Sequence, residues 1–311
     1  MIDLMTHLFR LQAIVEEGSL RRAALRLNVT QPALSRSVAQ IEERLGQPLL
    51  ERHARGVLPT PFGEKVLTSV MRLSRQWELA EEELLSTSVD PKGKISIDAG
   101  PLWRTVVLPQ LFDPLQKAHP NLEIDLTNLA QGSGVEKLLD GRIDALFGGL
   151  QFASDLPPRL VARAFTTFHD RVVAREDHPI LSLRGDDGEI PVEALLDYPW
   201  LVYTADPIYE IETVHAANER LGRTPDIRIT TQSLMSAINI LQRSDCVSIL
   251  PDAAVTNTVN PSVIALPVAL GRRTAKSGVI FREEMAEWPP LVTLLDLCEA
   301  HFGGASAAVQ A

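Results

Sequence analysis

Three polar side chains in one short segment could make hydrogen bonds to nucleic-acid bases. Gln31, Ser35 and Arg36 lie in the N-terminal part of the segment 30–45, outside its apolar positions. An amide can pair with adenine, a guanidinium with guanine or phosphate, and a hydroxyl with a base or the backbone. Apolar residues recur between them at the spacing that buries one side of a helix: Leu34, Val38, Ile41 and Leu45.

Signals at both ends of this segment predict where the helix begins and stops. Thr30 is a helix N-cap residue, and Pro32 fits the first turn, where a missing N–H costs little. Gly46 ends the helix, and Asn28 tolerates the left-handed conformation of a tight turn before it. Residues 19–46 therefore predict a helix-turn-helix whose second helix reads a groove. The alternative is an ordinary pair of core helices.

The flanking residues complete a small DNA-binding domain. A first helix is predicted at about 4–17, and 49–58 has the pattern of a β-hairpin wing with Gly56 in its turn. Arg52 and Arg55 near the tip could reach phosphates or the minor groove. The alternative for both is a solvated loop.

A longer helix follows, opened by Thr60 and Pro61 as N-cap and first helical residue. Its apolar residues are spaced 4-3-4-3-4, as in a heptad seam: Val66, Val70, Leu73, Trp77, Ala80 and Leu84. Such a seam needs a partner helix, and we expect the same helix of a second copy. Packing onto its own domain is the alternative.

Charge and composition limit the class of protein. The 311 residues carry a net charge of −10, yet residues 1–60 have eight arginines against six acidic residues. The acidic excess therefore lies outside the predicted DNA-binding segment. Two isolated cysteines, Cys246 and Cys298, exclude a disulfide scaffold and fit a reducing compartment. With neither a signal peptide nor a membrane span in the sequence, we expect a cytoplasmic protein.

After a turn-rich linker at 86–94, strands and helices alternate to the end of the chain. Repeated βα units predict mostly parallel sheets covered on both faces. The chain is expected to cross into a second lobe around 163–167 and to return around 262–267, with a closing helix at 290–302. Within the second lobe, a strand is predicted at 171–175 and a helix near 208–221. Two crossovers imply a hinge and a cleft between the lobes.

The order of these parts resembles the LysR-type transcriptional regulators. The most specific pieces of the resemblance lie within 19–64, namely TQPALS at 30–35, LLER at 49–52 and Thr60-Pro61 followed by Gly63. Weaker similarities continue through the rest of the chain. Leu50 stands where the family usually has Phe, a conservative change in an apolar position.

The resemblance implies a domain organisation. A winged helix-turn-helix at 1–60 is followed by a dimerisation helix at 61–89 and by a two-lobed, periplasmic-binding-protein-like effector domain at 90–304. Lobe I would comprise about 92–163 and 268–304 and lobe II about 164–267, with a flexible tail at 305–311.

The resemblance also implies partners and contacts. The expected partners are double-stranded DNA with an interrupted palindrome, a small-molecule effector, a second copy in a homodimer that usually assembles into a homotetramer, and RNA polymerase. The positions that match the family's DNA contacts are Thr30, Gln31, Pro32, Ser35, Arg36, Arg52 and Arg55. The expected dimerisation residues are Val66, Val70, Leu73, Trp77 and Leu84.

An effector would sit between the lobes, outside the C-terminal ends of strands and near helix N-termini. The residues expected around it are Pro101, Leu102, Trp103, Arg104, Ala130, Phe147, Gly148, Tyr203 and Ser233. A guanidinium beside helix N-termini suits a carboxylate or phosphate, so Arg104 points to a small organic anion. An exposed arginine in a first helical turn is the alternative, as core packing is for the aromatic residues.

The sequence contains no arrangement of residues that would support catalysis. The seven histidines and the acidic residues lack metal-ligand or nucleophile–base spacing, so neither a cofactor nor a metal is expected. The sequence predicts a ligand-responsive transcriptional regulator rather than an enzyme. The competing hypothesis is a two-domain enzyme or small-molecule-binding module in which the helix-turn-helix serves only assembly.

Overall fold

The computed structural model describes residues 2–53, 56–85, 93–128, 134–150, 153–203, 221–222, 224–256, 258, 261–268, 270 and 274–308. The chain forms two compact units. The first comprises Met1–Lys92 with Glu136–Ile143, and the second comprises Gly93–Val135 with Asp144–Ala311.

The first unit contains the predicted helix-turn-helix and hairpin. Its elements are α1 (Ile2–Glu17), α2 (Leu20–Arg26), α3 (Gln31–Leu45), β1 (Leu50–His53), β2 (Gly56–Pro59) and α4 (Pro61–Leu85). One apolar cluster joins the three short helices to the hairpin and to the start of α4. Its most buried members are Leu11, Ile14, Ala23, Leu34, Ile41 and Leu49.

The local signals place α3 as predicted. The Thr30 side chain accepts a hydrogen bond from the backbone N–H of Ala33, and Pro32 lies in the first turn. Gly46 closes the helix in the left-handed conformation with φ of 71°, and Asn28 adopts φ of 52° in the preceding turn. These conformations confirm the predicted bounds of the recognition helix.

The second unit holds the two-lobed domain. Its strands are β3 (Lys94–Ala99), β4 (Glu123–Asn128), β5 (Ala145–Gly149), β6 (Leu160–Arg175), β7 (Trp200–Tyr203), β8 (Ile227–Thr231), β9 (Ser248–Pro251), β10 (Val263–Ala265) and β11 (Thr274–Arg282). Its α-helices are α5 (Leu108–Ala118), α6 (Gly134–Leu139, part of which falls in the first unit), α7 (Leu234–Leu241) and α8 (Pro289–Ala308). A π-helical segment, Trp103–Val107, leads directly into α5.

The prediction of mostly parallel sheets is wrong for the large sheet, although β7 and β8 pair in parallel in a separate sheet. The large sheet has the order β10-β6-β11-β5-β3-β4, with β9 also paired to β6. Only β3–β4 and β3–β5 are parallel in it, whereas β6 and β11 are antiparallel to all of their partners. The reason is that β6 and β11 are the strands that cross between the lobes, and they run in opposite directions.

The crossing itself also differs from the prediction. A connection at 163–167 and a separate strand at 171–175 were expected, but β6 runs unbroken from Leu160 to Arg175. Its first half pairs with β11 and its second half with β9 and β10. The predicted return at 262–267 holds β10, which stays in lobe II, and β11 makes the return instead.

Lobe II has a core on each face of its strands. One cluster contains Val173, Leu201, Tyr203, Leu234 and Leu250, and Leu102 of lobe I packs against it. The other cluster covers the opposite face and includes Ile180, Trp200, Val247, Ile249 and Leu270. Alternating residues of β6, β7 and β9 therefore point into different cores, as strand geometry requires.

The end of the chain is more regular than predicted. The closing helix α8 extends to Ala308, so residues 305–308 of the expected flexible tail are helical. Their sequence Ala-Ser-Ala-Ala contains no helix breaker, which explains the extension. The helix predicted near 208–221 and the linker at 86–92 fall outside the described residues, except for Leu221.

Candidate DNA-binding and effector sites

The polar face of α3 is open. Gln31, Pro32 and Arg36 are exposed, and Ser35 is half-buried, while Leu34, Val38 and Ile41 form the buried side. Arg36 has no ion-pair partner among the described residues. The N–H donors of its guanidinium therefore make no ion pair within the described residues and can bind an external ligand. An exposed polar face on the second helix is the arrangement with which helix-turn-helix proteins contact the major groove.

Other arginines of this domain are already paired. Arg26 contacts Glu16 at 2.6 Å and Glu17 at 3.5 Å, and Arg22 lies 3.9 Å from Glu17. The hydrogen bonds and charge of the two carboxylates raise the pKa of Arg26. These pairs connect α1 and α2 and neutralise positive charge away from the reading face.

The hairpin wing is fixed against the turn between α1 and α2. The backbone N–H of Val57 donates to the carbonyl of Gly18 at 3.0 Å. Gly56 adopts φ of 141°, and a Cβ added there would lie 2.4 Å from the Gly18 oxygen. Only glycine fits this position. The backbone of Arg52 lies in β1, opposite Val57, whereas its side chain and all of Arg55 lie outside the described residues.

The predicted dimer seam on α4 divides into two parts. Val66 packs against the core of the first unit, and Val70 is 1% exposed within that unit. Leu73 and Trp77 are 41% and 61% exposed. Exposed apolar side chains of this kind are expected where a partner helix would cover them. The side chain of Leu84 is outside the described residues. The exposed part of the seam therefore begins later in α4 than the sequence suggested.

Arg104 and Tyr203 come from different lobes, and the charge of Arg104 acts on the Tyr203 phenol. Tyr203 ends β7 in lobe II and is buried, and burial raises the pKa of its phenol well above its usual range, while the positive charge of Arg104 lowers that pKa. Arg104 is half-buried and has no ion-pair partner among the described residues. A cation beside a buried phenol is suited to bind an anion.

The neighbours of Arg104 show how it is held. It lies in the π-helical segment Trp103–Val107, a conformation that is frequent at functional sites. Its backbone N–H donates to the carbonyl of Gly100 at 3.0 Å, just after β3. Leu102 packs against the lobe II core that includes Tyr203, and Pro101 is half-buried. The turn after β3 thus spans from one lobe to the other.

Two predicted effector residues lie in the core instead. Trp103 is 1% exposed and Phe147 is fully buried, with ring centroids 4.9 Å apart. The indole N–H donates to Ser277 Oγ at 2.7 Å, and that hydroxyl donates to the carbonyl of Gly148 at 2.8 Å. Because both rings are enclosed, neither can stack on an effector without leaving the core, and we exclude them from the proposed site.

The remaining predicted effector residues are placed differently. Ser233 is exposed and caps α7 by accepting from the Ser236 backbone N–H at 3.2 Å. Ala130 lies outside the described residues. A separate cavity of about 830 Å³ opens beside Ile190 and Leu270 in lobe II, and none of the described effector residues lines it.

Sequence reasoning missed a polar contact behind the reading face. Ser37 is 1% exposed, accepts a hydrogen bond from Arg10 of α1 and lies 3.0 Å from Nδ1 of His7. The available signal was its place among Leu34, Val38 and Ile41, since a hydroxyl within an apolar stripe must find a partner when buried.

Metal and membrane chemistry have no support in the described residues. No three histidine, cysteine, aspartate or glutamate side chains there are grouped to hold a metal ion. Nor does any helix of the described chain have the length and apolarity that a membrane crossing requires.

Two family profiles together cover most of the chain. The profile described as "Bacterial regulatory helix-turn-helix protein, lysR family" matches residues 5–64, and "LysR substrate binding domain" matches residues 88–303. The second covers more than half of the chain. The two matches correspond to the winged head and to the two-lobed domain.

Individual proteins agree with the profiles. The chain is 29% identical over 248 residues to the HTH-type transcriptional regulator BenM of Acinetobacter baylyi, covering 79% of each chain. It is 25% identical to a probable nitrogen assimilation transcriptional activator of Synechococcus elongatus, covering 92% of this chain and 91% of the relative.

Solved structures share the fold over nearly the whole length. Full-length OxyR from Pseudomonas aeruginosa matches with a TM-score of 0.68 and 20% identity, over 94% of each chain. Full-length CbnR in complex with its target DNA matches with a TM-score of 0.60 and 20% identity, over 95% of this chain and 99% of that one.

These matches do not favour an enzyme or an assembly module, because the relatives are named transcriptional regulators. They agree with the open face of α3 and with the two-lobed architecture behind it. The chain belongs to the LysR family of bacterial transcriptional regulators, with an N-terminal helix-turn-helix domain and a C-terminal effector-binding domain.

Proposed function

We propose that this regulator binds an interrupted palindrome through α3 and the wing and that a small organic anion, bound between the lobes, alters this binding. The observation that carries the proposal is the turn after β3, where Arg104 follows Leu102 and Leu102 packs against the lobe II core that includes Tyr203. The protein acts in the cytoplasm as a homodimer that assembles into a homotetramer, and it changes the access of RNA polymerase to DNA.

DNA reading follows from the exposed residues of α3. Gln31 pairs with adenine through its amide, Arg36 with guanine or a phosphate, and Pro32 contacts a thymine methyl. Thr30, Ser35, Arg52 and Arg55 add contacts to bases or backbone. Two such heads, joined through Leu73 and Trp77 of α4, would read two half-sites related by the symmetry of the dimer.

The anion would be held by charge and enclosed by both lobes. Arg104 supplies the positive charge, Tyr203 supplies a buried phenol, and Ser233 supplies a hydroxyl at the start of α7. Because Leu102 and Tyr203 share one core, a ligand that contacts both sides changes the relative stability of open and closed arrangements. Such a ligand shifts a population of states rather than creating a new one.

Selection from random DNA tests the recognition step. The full-length protein is incubated with a library of random duplexes, and bound DNA is amplified and sequenced over several rounds. We expect two related half-sites separated by a spacer. Enrichment of no sequence, or binding that depends only on salt concentration, would contradict the proposal.

Thermal shift with matched ligands tests the anion. The probes are benzoate, phenylacetate and succinate, with benzamide as the uncharged analogue of benzoate. At least one carboxylate should raise Tm, because a ligand that binds only the folded state stabilises it. Arg104→Met should abolish the shift, and Arg228→Met serves as a control because Arg228 pairs with Asp226 on the surface. An equal shift with the amide, or with Arg104→Met, would exclude Arg104 as the anion site.

A further inference from the structure

Ser37 stands out as a buried hydroxyl on the apolar side of the recognition helix. It is 1% exposed, and its helical neighbours on that side are Leu34, Val38 and Ile41. Burying a hydroxyl without hydrogen bonds is costly. An apolar side chain would avoid this cost, so the contacts of Ser37 need an explanation.

Three groups surround the Ser37 hydroxyl. Its oxygen lies 3.0 Å from the carbonyl of Ala33, 2.9 Å from Nη1 of Arg10 and 3.0 Å from Nδ1 of His7. A hydroxyl offers one proton and two lone pairs. When the proton goes to Ala33, the lone pairs accept from Arg10 and from the N–H of His7. This arrangement satisfies the hydroxyl completely and ties α3 to α1.

The position of this contact on α3 relates it to base reading. Ser37 directly follows Ser35 and Arg36, and its acceptor Ala33 directly follows Pro32. The apolar stripe holds α3 against the core, but apolar packing is non-directional. Hydrogen bonds to a fixed oxygen are directional and limit the rotation of the helix about its axis. Gln31 and Arg36 need such a limit, because bidentate base contacts tolerate little displacement.

We propose that Arg10 and His7, acting through Ser37, are positioning residues that set the rotation of α3 and thereby the base discrimination of Gln31 and Arg36. This inference rests on the proposed DNA-reading function. Arg10 acts through the Ser37 hydroxyl and not by contacting phosphate. The contact sharpens sequence specificity and leaves sequence-independent affinity unchanged.

The test compares two duplexes at several salt concentrations. Full-length wild type, Ser37→Ala, Arg10→Met and Arg10→Lys are titrated against the duplex that wild type selects from a random library and against a scrambled duplex. We expect Ser37→Ala and Arg10→Met to lower the ratio of the two affinities about tenfold, a partial loss of the discrimination of one base contact. Arg10→Lys should retain most of the ratio, since it still offers a charged donor.

Two controls separate positioning from folding. Ser69→Ala removes a hydroxyl that makes the same bond to the carbonyl four residues earlier, to Lys65 at 3.1 Å, but is exposed on α4. It should leave the ratio unchanged. The double variant Arg10→Met/Ser37→Ala should lose no more specificity than Ser37→Ala alone, because both changes remove one contact.

Each outcome of these titrations supports or contradicts the positioning role of Arg10 and Ser37. Equal weakening of both duplexes by Ser37→Ala would show a merely structural role and contradict it. A reduced salt dependence in Arg10→Met would show a direct phosphate contact and would also contradict it. A wild type that selects a sequence, with an unchanged ratio in Ser37→Ala, overturns the positioning role alone. If wild type selects no sequence, the proposed function fails and the positioning role with it.

Discussion

The proposed DNA-binding face and the proposed effector site are built from very different lengths of chain. The face takes Gln31, Ser35 and Arg36 from one 15-residue helix. The proposed effector site combines Arg104, which follows the first strand of lobe I, with Tyr203, at the end of β7 in lobe II. The helix decides which side chains share its face, whereas only the folding of both lobes decides which side chains meet in the cleft.

This difference predicts unequal sensitivity to changes in the core. A mutation that loosens the two-lobed domain should disturb effector binding and leave the reading face intact. A mutation on α3 should do the reverse. Substitutions in either region can therefore be tested separately.

Loss of a buried charge in the two-lobed domain should have the largest effect. Arg282 is 3% exposed and lies 3.2 Å from the carboxylate of Asp144, which also accepts from the Ser96 backbone N–H at 2.9 Å. Arg282→Met leaves that buried carboxylate without its cation, which costs about 3–5 kcal/mol. Chemical denaturation should show the loss. A free energy of unfolding within experimental error of wild type would show that the pair contributes nothing to stability.

Removal of a reading side chain should affect the other region only. Arg36→Ala is expected to reduce discrimination between the selected and a scrambled duplex by about 1–3 kcal/mol. The free energy of unfolding should stay unchanged, because Arg36 is exposed. Gel-shift titration measures the first quantity and denaturation the second. If discrimination persisted, α3 would not be the recognition helix.

The end of α3 offers a test of local backbone control. Gly46 has φ of 71° with open space around it, so Gly46→Ala adds backbone strain and no clash. We expect a loss of about 1–2 kcal/mol in the free energy of unfolding. Gly303→Ala is the matched control, because Gly303 lies within α8 with equally open space, and there alanine should stabilise by up to about 1 kcal/mol. The same sign for both changes would contradict the assignment.

Removal of the Tyr203 hydroxyl should weaken the binding of the carboxylate. Tyr203→Phe keeps the ring in the lobe II core and removes the phenol beside Arg104. The affinity for the carboxylate that stabilises wild type should fall by about 0.5–1.5 kcal/mol, the value of one hydrogen bond. Calorimetric titration would show it. Unchanged affinity would exclude the phenol from the ligand site.

The smallest expected effect concerns Cys298. Burial raises the pKa of this thiol to about 12, so almost no thiolate exists at pH 8, and the thiolate is the reactive form. Iodoacetamide should therefore leave Cys298 unmodified in the folded protein and modify it after denaturation. Rapid native modification, followed by mass spectrometry, would instead support a redox-sensing role.

The accuracy of prediction from sequence differs between the helix α3 and the site formed by the two lobes. Thr30, Gly46 and Asn28 specify α3 locally, so its bounds and open face were predictable. Trp103 could not be separated from Arg104 in the same way, because neighbouring residues of a π-helical segment point to different environments.

The pairing of the long strands could not be predicted from the sequence. The β6 strand carries polar and apolar residues without one clear pattern, since its two halves belong to different lobes. The contact of Ser37 with α1 was equally hidden, because it joins residues about thirty positions apart. Only the three-dimensional arrangement shows which side chains meet.

Footprinting of the selected duplex, with and without the stabilising carboxylate, measures directly whether this protein recognises specific DNA and whether a ligand alters that recognition. The full-length protein should protect two half-sites separated by a spacer, and the carboxylate should change the extent or pattern of protection. Protection that covers the duplex uniformly, weakens with salt and ignores the carboxylate would contradict a ligand-responsive reader of specific DNA.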